Sequence, residues 1–326
     1  MADSSGALEP SAALATQAEI FQGQPCQRLR LPCGDSVLVA LQGAHVLSWV
    51  AHGRERLFLS QRNLWDGQAA IRGGVPVCFP QFNQRGDLPK HGFARNLAWQ
   101  LCSLATPQDG HNLASTLHGH GHGHGHAHAH EHEHEHEHEH EHEQTAHMRF
   151  QLEANAQTLA LWPQHFVATL LVTLKPNQLQ ITLEVHNTDT RPLLFTGALH
   201  TYFAVQDIAH TQLTGLQGQA EWNAVSDEHN TAHAVQRFDG EFDRVYQAAP
   251  RALQLQDAQG RLQIEQSPSW GQSVVWNPGA AKCASLQDMP PDGYQHMVCV
   301  EAAQVFEPIQ VAPSQVWQGW QRLSLV

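Results

Sequence analysis

Apolar residues recur along this chain at alternate positions or in short β-branched runs, and seldom at helical spacing. The segments DSVLVALQ, AHVLSWVAH, HFVATLLVTL, QLQITLEVHN, RLQIEQ, QSVVWN and HMVCVEA carry that pattern, and the clusters KPNQ, NTDTRP, NPGAA and PPDG punctuate it. A period of two places alternate side chains on one face of a strand. Gly, Asn, Asp and Pro supply the backbone angles that turns need. The run FVATLLVTL-KPNQ-LQITLEVHN predicts two antiparallel strands around a tight connection. Strands at this density predict an all-β protein, a large antiparallel sandwich or barrel rather than βαβ units.

Two segments fall outside the pattern. Residues 1–17 are rich in Ala and Ser and are expected to be a disordered, frayed N-terminal segment, leaving 18–326 as a single domain. Residues 106–147 hold HGHGHGHGHAHAHEHEHEHEHEHEHE (118–143), which carries 13 of the chain's 25 histidines. Such a repeat has nothing apolar to bury and cannot offset its own ordering entropy, so a disordered insert is expected. It falls between NLAWQLCSL and MRFQLE, where a hairpin loop belongs. Doubling a loop costs only about 0.6 kcal/mol, which a fold tolerates. Alternate imidazoles can take up Zn2+, Ni2+ or Cu2+, so adventitious divalent metal on the insert is one expectation and an incidental expansion the other. A repeat without fixed ligand geometry or supporting hydrogen bonds is not expected to be the seat of chemistry.

Charge alters the picture once the insert is set aside. The net charge of −13 includes seven Glu of the repeat, so the remainder carries −13 + 7 = −6. That mild acidity excludes the basic face of a general nucleic-acid binder. Six cysteines are scattered without a CxxC pair, several in apolar strands, and read as buried free thiols of a reducing compartment. The N-terminus lacks the basic start and apolar core of a signal peptide, and no apolar run reaches the length of a membrane span. A cytoplasmic monomer without membrane or nucleic-acid partners is the expectation.

Four islands set polar residues among apolar neighbours. AIRGGVPVCFPQFNQRGDLPKHGFARNLAW holds Arg72, Gln81, Lys90, His91 and Arg95; FTGALHTYFAV holds His200; GEFDRVYQ holds Asp243 and Arg244; HMVCVEAA holds Glu301. A carboxylate buried without a partner raises its pKa or breaks its strand, and the same reasoning applies to an imidazole inside ALHTYF. Glu301 and His200 therefore predict either a general base and general acid facing one substrate, or a solvated strand end and a satisfied core histidine. Trp49 and Trp99 are expected in the core. Trp276 and Tyr202 are candidates to stack on a ligand.

In their order, IRGGVPVCFPQF, LPKHGFARNLAW, TGALHTYFAV, FDRVY, VVWNPGAAK and MPPDGYQHMVCVEAA closely resemble the hexose-6-phosphate mutarotases, the glucose-6-phosphate 1-epimerase branch of the aldose 1-epimerase family. The resemblance runs from about residue 20 to the C-terminal QVWQGWQRLS, with the insert as its main interruption. It implies a galactose mutarotase-like β-supersandwich, a site on the concave face of the large sheet, and neither metal nor organic cofactor. It also implies that His200 and Glu301 are catalytic, that Arg72 and Arg95 hold the phosphate, and that His91 and Asp243 line the sugar site beside Gln81. The chain departs at Phe82-Asn83, where many relatives carry Phe-Gly.

The reaction so implied is anomer exchange of a hexose 6-phosphate. Ionised Glu301 is expected to take the C1 hydroxyl proton, and His200 as imidazolium to protonate the ring oxygen. Rotation about C1–C2 and the reverse transfers then close the other anomer. Arginine forks match a sugar phosphate bidentately. The alternatives are an epimerase of unphosphorylated aldoses, and a non-catalytic carbohydrate-binding or metal-buffering protein.

Overall fold

A computed structural model describes residues 16–102 and 144–326. The N-terminal segment and the histidine-rich insert lie outside the described residues except at their ends. There Gln17 opens the strand Gln17–Phe21, and Ala146 and His147 open the strand Ala146–Glu153. Gln100–Cys102 and Ala146–Glu153, which bracket the insert, pair antiparallel with Cys102 opposite Arg149.

The expected strands are present. Among the described residues they form sheets of five, nine and eight strands. The nine-stranded sheet is built around Ala146–Glu153, Phe166–Lys175, Gln178–Asn187 and Val316–Leu325, all antiparallel neighbours. The KPNQ connection pairs Lys175 with Gln178 and leaves Pro176-Asn177 as a two-residue turn. Asn177 takes the left-handed φ of 63° that such a turn demands. One turn expectation needs correcting: NPGAA opens a short α-helix, Gly279–Ser285, whose first N–H is capped by the Asn277 side chain.

The eight-stranded sheet positions the polar residues. It runs from Glu228–Thr231 through Ala220–Asn223, Phe242–Gln247, Gln272–Asn277, Met297–Val311 and Leu193–Leu199 to Val77–Cys78, and Tyr202–Ala204 also pairs with Met297–Val311. Strand alternation sorts its two faces. Val298, Val300 and Ala302 point into the main core with Phe195, Leu199, Val275 and Tyr246, packed among the apolar residues of the nine-stranded sheet. Met297, Cys299, Glu301 and Ala303 point the other way. Trp49 and Trp99 are in the core, as expected. All six cysteines are free: Cys26, Cys78, Cys283 and Cys299 are buried, Cys102 is half-buried and Cys33 is exposed. No helix among the described residues is long and apolar enough to cross a membrane.

Candidate active site

The face of the eight-stranded sheet turned away from the core floors a cleft of about 420 Å³. Register decides which residues meet there. One cross-strand row places Asp243 opposite Trp276, Trp276 opposite Cys299, and Cys299 opposite Tyr202. The next row on that face sets Val245, Val274 and Glu301 side by side. Leu199 pairs with Ala302, so the residue after Leu199 arrives beside the residue before Ala302. Those residues are His200 and Glu301, and His200 Nε2 lies 3.3 Å from Glu301 Oε1.

Both groups are nearly inaccessible, Glu301 at 1% and His200 at 8%. His200 is held by its backbone N–H donating to Pro76 O and by its ring stacking on Tyr202 at 4.9 Å and 12°. Its Nδ1 and Oε2 of Glu301 are buried without a hydrogen-bond partner. Buried polar atoms are normally satisfied; these two belong to adjacent side chains that both line the cleft.

Burial raises the Glu301 carboxyl well above the usual carboxylate range, and the neighbouring Asp243 adds to it. Burial also drives His200 well below the usual imidazole range, helped by the positive fields of Arg95, Arg72 and Lys90. This corrects the expectation of a self-sustaining carboxylate–imidazolium pair. Both shifts favour the neutral pair, with the proton on Glu301. The distance is as expected; the charge state is not, because desolvation outweighs the attraction between the two groups.

Arg72 lies on a segment whose backbone pairs with Phe58, Leu59 and Ser60. Its backbone is clamped by Asn63, whose Oδ1 accepts from Arg72 N and whose Nδ2 donates to Arg72 O. Its Nε lies 2.8 Å from Asp288 Oδ1, and its Nη1 donates to Tyr202 OH at 3.3 Å. Gly73 and Gly74 are required by the packing of the backbone around them. A Cβ on Gly74 (φ +59°) would sit 2.1 Å from Val46 O, and one on Gly73 2.4 Å from Phe58 O. These glycines admit neighbouring strands, and the guanidinium beyond them reaches the cleft.

Arg95, on the single turn Ala94–Asn96, lines the same cleft, its Nη2 donating to Lys90 O. His91 stands beside it with φ +65°, its ring 5.4 Å from that of His200. Asn83 N donates to His91 Nδ1, so the neutral ring carries its proton on Nε2. Burial and the cations around it keep that ring neutral. Asn83 itself takes φ +49°, and Asn is one of the few residues besides Gly that tolerates the left-handed region.

Gln81 does not join the others. Its amide Nε2 donates to Asn83 O and Leu88 O, and its Oε1 accepts from Leu88 N. It ties the 82–88 loop together and faces away from the cleft. Asp243 does line the cleft, its carboxyl raised chiefly by burial. Its neighbour Arg244 does not pair with it but turns to Glu221 and Asn223. Sequence reasoning missed Asp288, Lys282 and Trp222, which also line the cleft. Asp288 sits in a Pro-rich turn with no periodicity to announce its direction.

The chain matches the family model described as aldose 1-epimerase over residues 25–127 and 104–324. A protein of Escherichia coli (strain K12) named "Putative glucose-6-phosphate 1-epimerase" is 36% identical over 83% of this chain and 81% of its own length. One of the same name from Cenchrus ciliaris is 31% identical over 88% and 80%. A crystal structure of "a putative mutarotase (YeaD)" from Salmonella typhimurium superimposes with a TM-score of 0.78 at 27% identity, covering 97% of this chain and 95% of that one.

Proposed function

Since the chain belongs to the aldose 1-epimerase family, a family of isomerases, we propose that it interconverts the α and β anomers of a hexose 6-phosphate, with glucose 6-phosphate the first candidate. The observation that carries this reading is the juxtaposition of His200 and Glu301, 3.3 Å apart, with the guanidinium-bearing side of the same cleft. Acid–base exchange needs one group to give a proton and another to take one, and the pair holds one proton between two sites.

The cations supply the selectivity and add to the burial that favours the neutral pair. Arg72, Arg95 and Lys90 are the charges that disfavour imidazolium at His200. A sugar phosphate brings about −1.5 to −2 charges and offsets that field when it docks. The proton then moves from Glu301 to His200, leaving a carboxylate to accept the C1 hydroxyl proton and an imidazolium to protonate the ring oxygen. His91 Nε2–H and Asp243 are placed to donate to and accept from sugar hydroxyls. An unphosphorylated sugar leaves the cationic field in place and the pair in its resting form.

The test is magnetisation-exchange NMR between the two anomeric protons. Exchange accelerated for glucose 6-phosphate and far less for glucose supports the proposal. Equal acceleration of both would make the chain a general aldose epimerase, and no acceleration of either would remove the catalytic reading.

A further inference from the structure

Cys299 precedes Glu301 by two residues on the strand Met297–Val311, so both side chains leave the same face of the sheet. The Cys299 thiol sulfur, a His200 ring nitrogen and a Glu301 carboxylate oxygen all lie within 4.8 Å of one another. We propose that this trio is a site for one thiophilic divalent cation, Zn2+ foremost, and that its occupancy shuts off anomer exchange. The inhibition rests on the function proposed above; the metal site does not.

Thiolate, imidazole and carboxylate are the donors that zinc takes in tetrahedral sites, and three protein ligands leave a fourth position open. Two of the three donors, His200 and Glu301, line the cleft. Zinc–ligand bonds of about 2.0–2.3 Å put tetrahedral donor atoms roughly 3.3–3.8 Å apart, so the trio need contract by about 1 Å. The buried Glu301 Oε2 without a partner gives the carboxylate a second oxygen to turn toward an ion.

The cations nearby do not forbid this, because the exchange is balanced in charge. Zn2+ replaces the carboxyl proton of Glu301 and the thiol proton of Cys299, releasing two H+. The cleft's net charge is therefore the same before and after. Two protons released per ion make the apparent affinity climb with pH, up to about 100-fold per pH unit while both groups start protonated. An ion in this position holds the carboxylate and the imidazole, so neither can exchange a proton with a sugar.

The thirteen imidazoles of the repeat can take up the same ions, so metal uptake alone is not diagnostic. Cobalt(II) titration of the full chain distinguishes the two, since a sulfur-to-cobalt charge-transfer band requires a thiolate ligand. The band should appear in the wild-type chain and vanish in Cys299→Ala and in Cys299→Ser, the second variant guarding against a packing defect in the first. In metal-buffered assays, with each protein's rate expressed relative to its own rate in the presence of a chelator, half-inhibition of anomer exchange should need about tenfold or more zinc in both variants. Absence of the band in the wild type, its persistence in both variants, or equal zinc inhibition of all three proteins overturns the proposal. A band lost on substitution in a chain with no anomer exchange upholds the metal site and removes the epimerase reading.

Discussion

His200 and Glu301 meet because Leu199 pairs with Ala302 in an antiparallel register, which delivers the two polar side chains to the same point of one sheet face. If Glu301 exchanges protons with a substrate, Glu301→Gln keeps the side-chain shape and removes that capacity. Turnover of glucose 6-phosphate should fall on the order of 10²-fold or more, with KM changed much less. Near wild-type turnover in the NMR exchange assay would assign the chemistry elsewhere.

The pair should also impose a bell on the pH dependence of kcat/KM. Activity needs one proton on the two sites, so it is lost when a second is added and when the last departs. Burial lowers His200 and raises Glu301, which moves the first event below the usual imidazole range and the second above the usual carboxylate range. The acid limb should therefore lie below the usual imidazole range and the alkaline limb above the usual carboxylate range. An acid limb at or above the usual imidazole range, or a profile flat from pH 5 to 9, would contradict the proton inventory.

How much of this was legible beforehand follows from what sequence patterns encode. Alternation in HMVCVEAA revealed a strand and marked Glu301 as anomalous, because burial of every second residue is a local property. The same period places Cys299 on Glu301's face, yet a lone cysteine in an apolar strand looks like any core thiol. Asp288 could not be assigned, since its place beside Arg72 depends on Ser60 Oγ donating to Asp288 O across the fold. Gln81 shows the opposite failure. It occupies a motif position associated with the site, but departs from it through three hydrogen bonds to a loop whose course no periodicity specifies.

That arrangement makes Gln81 a test of loop support. Gln81→Ala deletes three hydrogen bonds in a side chain 4% exposed and leaves loop carbonyls unpaired. At about 1 kcal/mol each, unfolding stability should drop by roughly 2–3 kcal/mol in urea titrations. A variant of unchanged stability with KM for the sugar greatly raised would instead place Gln81 in direct contact with substrate.

Arg95 should separate phosphate recognition from chemistry. Its buried Nε lacks a partner, and its Nη2 is engaged only by Lys90 O, so the fork retains donors for an incoming anion. Arg95→Ala should lower kcat/KM for glucose 6-phosphate about 10- to 100-fold, the equivalent of losing one charged hydrogen-bonding group. The slow exchange of unphosphorylated glucose should be unaffected or should improve, because removing a cation relieves the field that disfavours imidazolium at His200. A parallel fall for both sugars would show that Arg95 serves the fold or the chemistry and not the phosphate.

His45 carries a prediction about stability that is independent of the cleft. It is fully buried beneath Gly73-Gly74, its Nε2 donating to Gly73 O at 2.7 Å and its Nδ1 unpartnered. Burial lowers its pKa to about 4, against an ordinary value of 6.5. The folded state thus binds a proton more weakly than the unfolded chain, so acid favours unfolding. The neutral ring costs nothing by this route above 6.5, and stability drains away as pH falls from there toward 4. Between pH 7 and pH 5 the loss due to His45 amounts to about 2 kcal/mol, since each pKa unit is worth about 1.4 kcal/mol. His45→Gln retains a donor for Gly73 O without a titrating group. Whatever its stability at pH 7, the variant should lose about 2 kcal/mol less than the wild type on going to pH 5, read from urea midpoints at the two pH values. Equal losses in the two proteins would mean that His45 binds its proton as readily folded as unfolded, which a sealed, half-unpartnered imidazole cannot do.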